Sequence, residues 1–155
     1  MSDIRYGEGD WFAVPLQEGG FASGIIARAT PRREGILIGY FFGPRRAVIP
    51  ALGDLASLKA SDAVLVRRFG DLGLLRGTWP LIGKPEDWKR EAWPTPVFGR
   101  FEELTGRSFE VIYDDNDPNK LIREEIIGRY DLLGLAKDGL LGAGAVEVVL
   151  TGLLR

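Results

Sequence analysis

The segment from Gly9 to Leu16 is the feature that most limits how this chain can fold. Every residue from Trp11 to Leu16 is apolar, and alternate residues of a strand point to opposite faces of a sheet. We therefore predict a strand that is buried on both faces. Glu18-Gly19-Gly20 follows, and paired glycines supply the positive φ that a short hairpin turn needs. Gly20 to Arg28 then forms a second strand. The chain is therefore predicted to begin as a β-hairpin, and this segment offers no obvious catalytic group.

The composition favours one domain, residues 1–155, built from many short elements. A chain of 155 residues has the usual size of a single domain. Glycine accounts for 21 of them, about double the usual fraction, which predicts frequent turns and bends. We expect a β-rich α+β fold with seven to nine short strands and one or two short helices. A strongly bent antiparallel sheet or a small SH3-like barrel would accommodate them.

The later segments are predicted mainly as strands. Leu52 to Leu58 could form a short helix, whereas residues 83–96 form a surface loop pinned by Trp88 and Trp93. The β-branched residues of the last segment, Ala145 to Leu153, favour a strand, with a final helix as the alternative. The remaining predicted strands are Gly35–Gly43, Asp62–Phe69, Val97–Leu104, Phe109–Tyr113 and Leu121–Ile127.

The chain contains no cysteine and no histidine. Disulfides, thiolate metal sites and cysteine nucleophiles are therefore excluded, as are histidine-dependent catalysis and histidine-ligated zinc. No cofactor motif is complete. In the candidate calcium loop that begins at Asp115, Lys120 replaces the required glycine and Ile126 the final glutamate. We expect neither a metal nor a cofactor.

Charge divides unevenly along the chain. Residues 1–100 carry a net charge of +3, whereas residues 101–155 carry −5. Such a field attracts a cationic partner and repels nucleic acid. The chain also has no signal-type apolar segment near Met1 and no apolar run of the ~20 residues that a membrane helix needs, so we expect a cytoplasmic protein.

Several short motifs follow one another in a particular order along the chain. They are Gly9–Leu16, Gly20–Gly24, Gly39–Gly43, Gly70–Leu74, Trp79–Gly83, Trp93–Pro96, Tyr113–Asp115 with Asp117-Pro118, and Asp138–Leu140 with Gly142–Glu147. In this order they resemble the immunity protein 26 family of bacterial polymorphic toxin systems. The resemblance implies a small cytoplasmic protein that binds and neutralises a cognate toxin, and it implies no catalytic residue.

The first hypothesis is therefore a non-catalytic immunity protein that meets a toxin with a basic active cleft, such as a nuclease. The predicted contact patch is Glu102, Glu103, Asp114, Asp115 and Asp117. A second hypothesis is a carboxylate-dependent enzyme, or a nuclease on a small barrel, whose acidic groups would converge in a cleft. A third is a small-ligand-binding module, which predicts an apolar pocket lined by at least two tryptophans. The oligomeric state stays open.

Overall fold

A computed structural model describes residues 5–155 of the chain. This part of the chain forms two mixed, mostly antiparallel sheets, of six and four strands. The six-stranded sheet has the order β10-β4-β3-β2-β1-β5, with β1 Trp11–Pro15, β2 Phe21–Ala29, β3 Ile36–Arg46, β4 Leu65–Gly70, β5 Leu81–Gly83 and β10 Leu140–Leu141. The four-stranded sheet has the order β8-β7-β6-β9, with β6 Phe98–Glu102, β7 Arg107–Asp114, β8 Asp117–Ile127 and β9 Ala136–Lys137.

The helices are short. The α-helices are α1 Leu72–Arg76 and α2 Ala143–Leu153, and the 3-10 helices are Pro31–Arg33, Leu52–Leu55, Ala60–Asp62, Arg90–Ala92 and Arg129–Gly134. No helix within residues 5–155 has the length and apolarity needed to cross a membrane.

The predicted opening hairpin is confirmed. β1 pairs antiparallel with β2 from Trp11 opposite Ile25 to Pro15 opposite Phe21. Gly19 and Gly20 have φ of 92° and 78°, the left-handed region that the turn requires. The residues of β1 are buried on both faces except for half-buried Pro15, as the uninterrupted apolar sequence predicts. β1 is therefore an inner strand of the six-stranded sheet.

The six-stranded sheet is the middle layer of the molecule. One face packs with α2 around a cluster that includes Phe12, Phe41, Phe69, Trp79 and Leu150. The opposite face packs against the four-stranded sheet and the loops around it, and this second cluster includes Trp11, Ile25, Tyr40, Phe42, Leu55, Trp93, Phe98 and Val111. The alternation of neighbouring β1 residues thus supplies one aromatic ring to each core.

A polar contact ties the two sheets together beside this second core. Tyr113 of β7 donates a hydrogen bond to Asp138 (2.7 Å), and the guanidinium of Arg68 from β4 lies 4.1 Å from the centre of the tyrosine ring. Arg68 also donates to the carbonyl of Pro118. Burial and the Asp138 carboxylate raise the pKa of Tyr113 to about 12, so this hydroxyl stays protonated and keeps donating.

Two sequence-based expectations about the fold are wrong. The described chain forms no barrel and no strongly curled sheet, because the middle sheet is covered on both faces and need not close on itself to enclose a core. The last segment is the helix α2, where Val146 and Leu150, four residues apart, both point into the core. The strand at Leu121 to Ile127 is confirmed as part of β8.

Candidate interaction surfaces

The excess negative charge of residues 101–155 lies in three strands of the four-stranded sheet and their turns. We use the name acidic ribbon for residues 98–127, which comprise β6, β7, β8 and their turns. The ribbon holds eight carboxylates and four basic side chains, a net charge of −4 within a chain whose net charge is −2. The outermost strand, β8, is exposed from Asn119 to Ile126. The excess of negative charge predicted from the sequence is therefore concentrated on the ribbon, whose outermost strand is accessible.

The five predicted contact residues fall into two groups. Glu102 and Glu103 lie at the turn between β6 and β7, whereas Asp114, Asp115 and Asp117 lie at the turn between β7 and β8. These turns are at opposite ends of β7, about 23 Å apart for eight extended residues. The groups therefore do not form the single cleft that a carboxylate-dependent enzyme would require, and no three acidic residues within 5–155 are placed to hold a metal ion.

Asp115 is held inside the molecule's own network of charges. Its Oδ1 accepts hydrogen bonds from Arg28 Nε (2.9 Å) and Thr95 Oγ1 (2.7 Å), and its Oδ2 accepts one from Arg90 Nη1 (2.7 Å). The side chain of Arg28 is only 4% exposed, and it also donates to the carbonyls of Ala27 and Trp93. Asp115 thus compensates a buried cation of β2 and joins the two sheets.

The other acidic side chains of the ribbon divide into paired and unpaired ones. Glu124 pairs with Arg100, while Glu110 and Glu125 pair with Arg123. The ribbon carboxylates that make no ion pair with any residue of 5–155 are Glu102, Glu103, Asp114 and Asp117. Asp114 and Asp117 each accept one backbone N–H, from Asn116 and Asn119, and keep their charge uncompensated. The unpaired charge thus lies at the two ends of the ribbon.

The contacts of Asp115 predict a measurable dependence of stability on pH. The Thr95 hydroxyl, then Arg28 and Arg90, lower the pKa of Asp115 to about 2, although desolvation opposes them. The pKa in the unfolded chain is about 3.9, so the stabilisation is complete above about pH 4 and disappears as pH falls through about 2. Because the side chain is 56% exposed, solvent screening limits the effect to about 1 kcal/mol.

The variant Asp115→Asn measures this effect. The difference between the free energies of unfolding of the wild type and the variant should shrink by about 1 kcal/mol between about pH 4 and pH 2. Urea unfolding at stepped pH gives both values. Asp117→Asn is the matched control, since Asp117 makes no ion pair with any residue of 5–155. A constant difference for Asp115→Asn would show that the carboxylate is not stabilised by its neighbours.

A second accessible feature is an apolar pocket beside β1, which we call the tryptophan pocket. Trp11, Trp88 and Trp93 line it, and its volume is about 870 Å³. The predicted pocket with at least two tryptophans is thereby confirmed. Leu52, Leu55 and Leu58, from the segment after β3, complete the apolar lining. The sequence showed the tryptophans but not these leucines, because only the fold brings residues 52–61 over β1.

Aromatic packing shapes the pocket floor. The rings of Trp11 and Trp93 meet edge to face, with centroids 5.7 Å apart and planes at 90°. Trp88 is half-buried on the loop that follows β5, with Lys84 Nζ 4.7 Å from the centre of its ring. Gly9 lies against the same indole, and a Cβ there would be 2.8 Å from the ring. The close approach of Trp88 therefore requires a glycine at position 9.

The loop that carries Trp88 and Trp93 is fixed by the same network as Asp115. Arg90 lies between these tryptophans, and it donates hydrogen bonds to Glu8 (2.8 Å) and Asp115 (2.7 Å). Thr95, two residues after Trp93, also donates to Asp115. Asp115 was predicted as a partner contact, but its observed bonds attach one wall of the tryptophan pocket to the acidic ribbon.

The fold is thus a β-rich α+β arrangement of two mixed sheets, with an acidic edge and an apolar pocket. A scan against protein-family models matches immunity protein 26 over residues 7–110, about two thirds of the chain. The chain therefore belongs to the immunity protein 26 family, and membership of an immunity family implies neutralisation of a toxin. Comparison with curated proteins and comparison with solved structures gave no match.

The family match covers the whole tryptophan pocket but only part of the acidic ribbon. All residues that line the tryptophan pocket fall within 7–110, as do Glu102 and Glu103. Asp114, Asp115 and Asp117 lie beyond its end, together with the whole of β8. The resemblance noted from the sequence is confirmed for the matched part, and the later motifs of that resemblance, from Tyr113 onward, lie outside it.

Proposed function

We propose that this chain neutralises a cognate toxin in the cytoplasm by binding it, without catalysing a reaction. The proposed contact surface is the acidic ribbon, with Glu102, Glu103, Asp114 and Asp117 facing the toxin. The observation that supports this proposal is that these four carboxylates pair with no cation within residues 5–155, whereas Glu110, Glu124 and Glu125 of the ribbon do. Uncompensated surface charge is free to act on a partner.

The sign of the charge suggests the kind of toxin. Enzymes that cut nucleic acids attract a polyanion and so have basic clefts, and an acidic surface would both steer such a toxin and occupy its cleft. We therefore propose a nuclease, or another toxin with a basic active cleft, as the partner. Asp115 contributes indirectly, because it holds the turn that carries Asp114 and Asp117.

The separation of the two groups is compatible with one partner. A standard interface buries about 800 Å² on each protein, a patch about 28 Å across. A toxin that lies along β7 and β8 would therefore reach both ends of the ribbon, which are about 23 Å apart. Such a partner would also cover the exposed aliphatic side chains Leu121, Ile122 and Ile126 of β8. These side chains would supply the apolar part of the interface.

The test is co-expression with the product of the adjacent gene as the candidate toxin, together with measured association rates for the purified pair. The double variants Glu102→Lys/Glu103→Lys and Asp114→Lys/Asp117→Lys each reverse one end of the ribbon. Each should slow association about 10-fold or more at low salt, reduce its salt dependence and weaken protection. The matched control is Glu34→Lys/Glu86→Lys, the same charge change at exposed positions away from the ribbon.

The possible results distinguish a failure of the proposed immunity function from a failure of the proposed contact surface. If the wild-type chain neither binds the toxin nor protects the cells, the proposed function fails for that pair. If the wild type protects and both ribbon variants, shown to be folded, protect equally well, immunity stands and the ribbon assignment is wrong. Loss of protection in only one double variant would restrict the contact surface to that end.

A further inference from the structure

We propose that the tryptophan pocket binds a small organic anion with a flat apolar body, such as an aromatic carboxylate. This goes beyond toxin neutralisation, since neither the family nor the acidic ribbon calls for a ligand at this place. The pocket lies on the loops beside β1, and its volume of about 870 Å³ is in the range of sites that enclose a drug-sized molecule.

The apolar part of the inferred ligand follows from the indole rings. Trp11 and Trp93 are almost fully buried and present a floor of edge-to-face rings. Trp88 stands at the side and remains half-exposed. A flat aromatic ring can stack or pack edge-on against such rings and remove apolar surface from water. Leu52 and Leu58, which are also half-exposed, would gain burial from the same ligand.

The anionic part follows from the charged lining. Lys59 and Lys89 both line the pocket, against a single carboxylate, Asp87. Neither lysine has a carboxylate within ion-pair distance in the part of the chain that is described. The lining side chains thus carry one net positive charge in a chain whose net charge is negative, which favours an anionic ligand.

Naphthoate is the probe, and the uncharged naphthamide is its control of nearly the same shape. Titration calorimetry with the isolated full chain should show saturable binding of naphthoate below about 1 mM, and naphthamide should bind about tenfold more weakly. Lys59→Met and Lys89→Met should each weaken naphthoate binding about 3-fold or more and leave naphthamide unchanged. Lys120→Met, on exposed β8, is the matched control and should change neither affinity.

Trp88→Ala should weaken both probes about tenfold, because it removes a ring that the apolar body contacts. If that variant does not fold, the lysine variants decide the result. The proposal is overturned if naphthoate does not saturate, if naphthamide binds as tightly, or if the lysine variants bind like the wild type. It is also overturned if naphthoate affinity is negligible and both Lys59→Met and Lys89→Met abolish toxin binding. The pocket would then be part of the toxin-binding surface.

Discussion

Replacing Asp115 with lysine should lower the free energy of unfolding by about 3 kcal/mol. The substitution removes the carboxylate from Arg28, whose side chain is 4% exposed, and places an ammonium group beside Arg28 and Arg90. Removing one partner of a buried pair costs about 3–5 kcal/mol, and the exposure of Asp115 puts the effect near the lower limit. Thr95 would also lose its acceptor.

Urea unfolding measures this effect, and Glu103→Lys is the matched control. Glu103 is exposed in the turn between β6 and β7, and its charge reversal should change stability by less than about 0.5 kcal/mol. Near-ultraviolet circular dichroism should change for Asp115→Lys alone, because the released loop carries Trp88 and Trp93. Equal effects of the two reversals would mean that Asp115 is an ordinary surface residue.

This result bears directly on how the acidic surface is tested. Loss of protection by Asp115→Lys would reflect a damaged fold as well as a lost contact. Asp114→Lys/Asp117→Lys avoids the difficulty, because neither carboxylate compensates a buried cation. The variants that report on partner binding are therefore those at carboxylates that do not stabilise the fold.

The sequence predicted local structure well where each segment carries its own pattern. Continuous apolar residues and Gly19-Gly20 were sufficient for the first hairpin. A strand was predicted where α2 lies because Val146, Val148 and Val149 are β-branched. The packing of Val146 and Leu150 against the core instead stabilises a helix. The prediction of a barrel was wrong because strand pairings between distant segments determine the sheet arrangement. β10 joins β4 and β9 joins β6, both in parallel, and no local pattern specifies either.

The same limit applies to the sites. Summing charges along the sequence located the acidic ribbon, but it could not separate Asp115 from Asp114 and Asp117. The partners of Asp115 are Arg28 and Arg90, which are 87 and 25 residues away along the chain. The tryptophans were visible as candidates, yet Lys59 and the leucines that complete the pocket lining come from a separate segment, residues 52–61. Both sites depend on contacts between elements that only the fold determines.

Replacing Trp79 with alanine should have the largest effect on stability, about 4 kcal/mol. Trp79 is 1% exposed, stacks on Phe12 with centroids 5.7 Å apart, and lies close to Phe69. Its indole N–H donates to Glu147 of α2 (2.8 Å). A Cβ at Gly73 of α1 would be 2.6 Å from the ring, so the helix and the indole are in direct contact. One side chain thus joins both helices to the middle sheet.

Trp79→Phe separates the contributions of the ring and of the hydrogen bond. It keeps an aromatic ring on Phe12 and loses the bond to Glu147, so it should cost about 1–2 kcal/mol. Trp88→Ala is the control for the loss of a tryptophan at a half-exposed site, and it should cost less than Trp79→Ala. Chemical denaturation gives the free energies, and hydrogen exchange should rise first in α2 for Trp79→Ala. Equal destabilisation by Trp88→Ala and Trp79→Ala would contradict this prediction. The helices would then not depend on the Trp79 indole for their packing on the middle sheet.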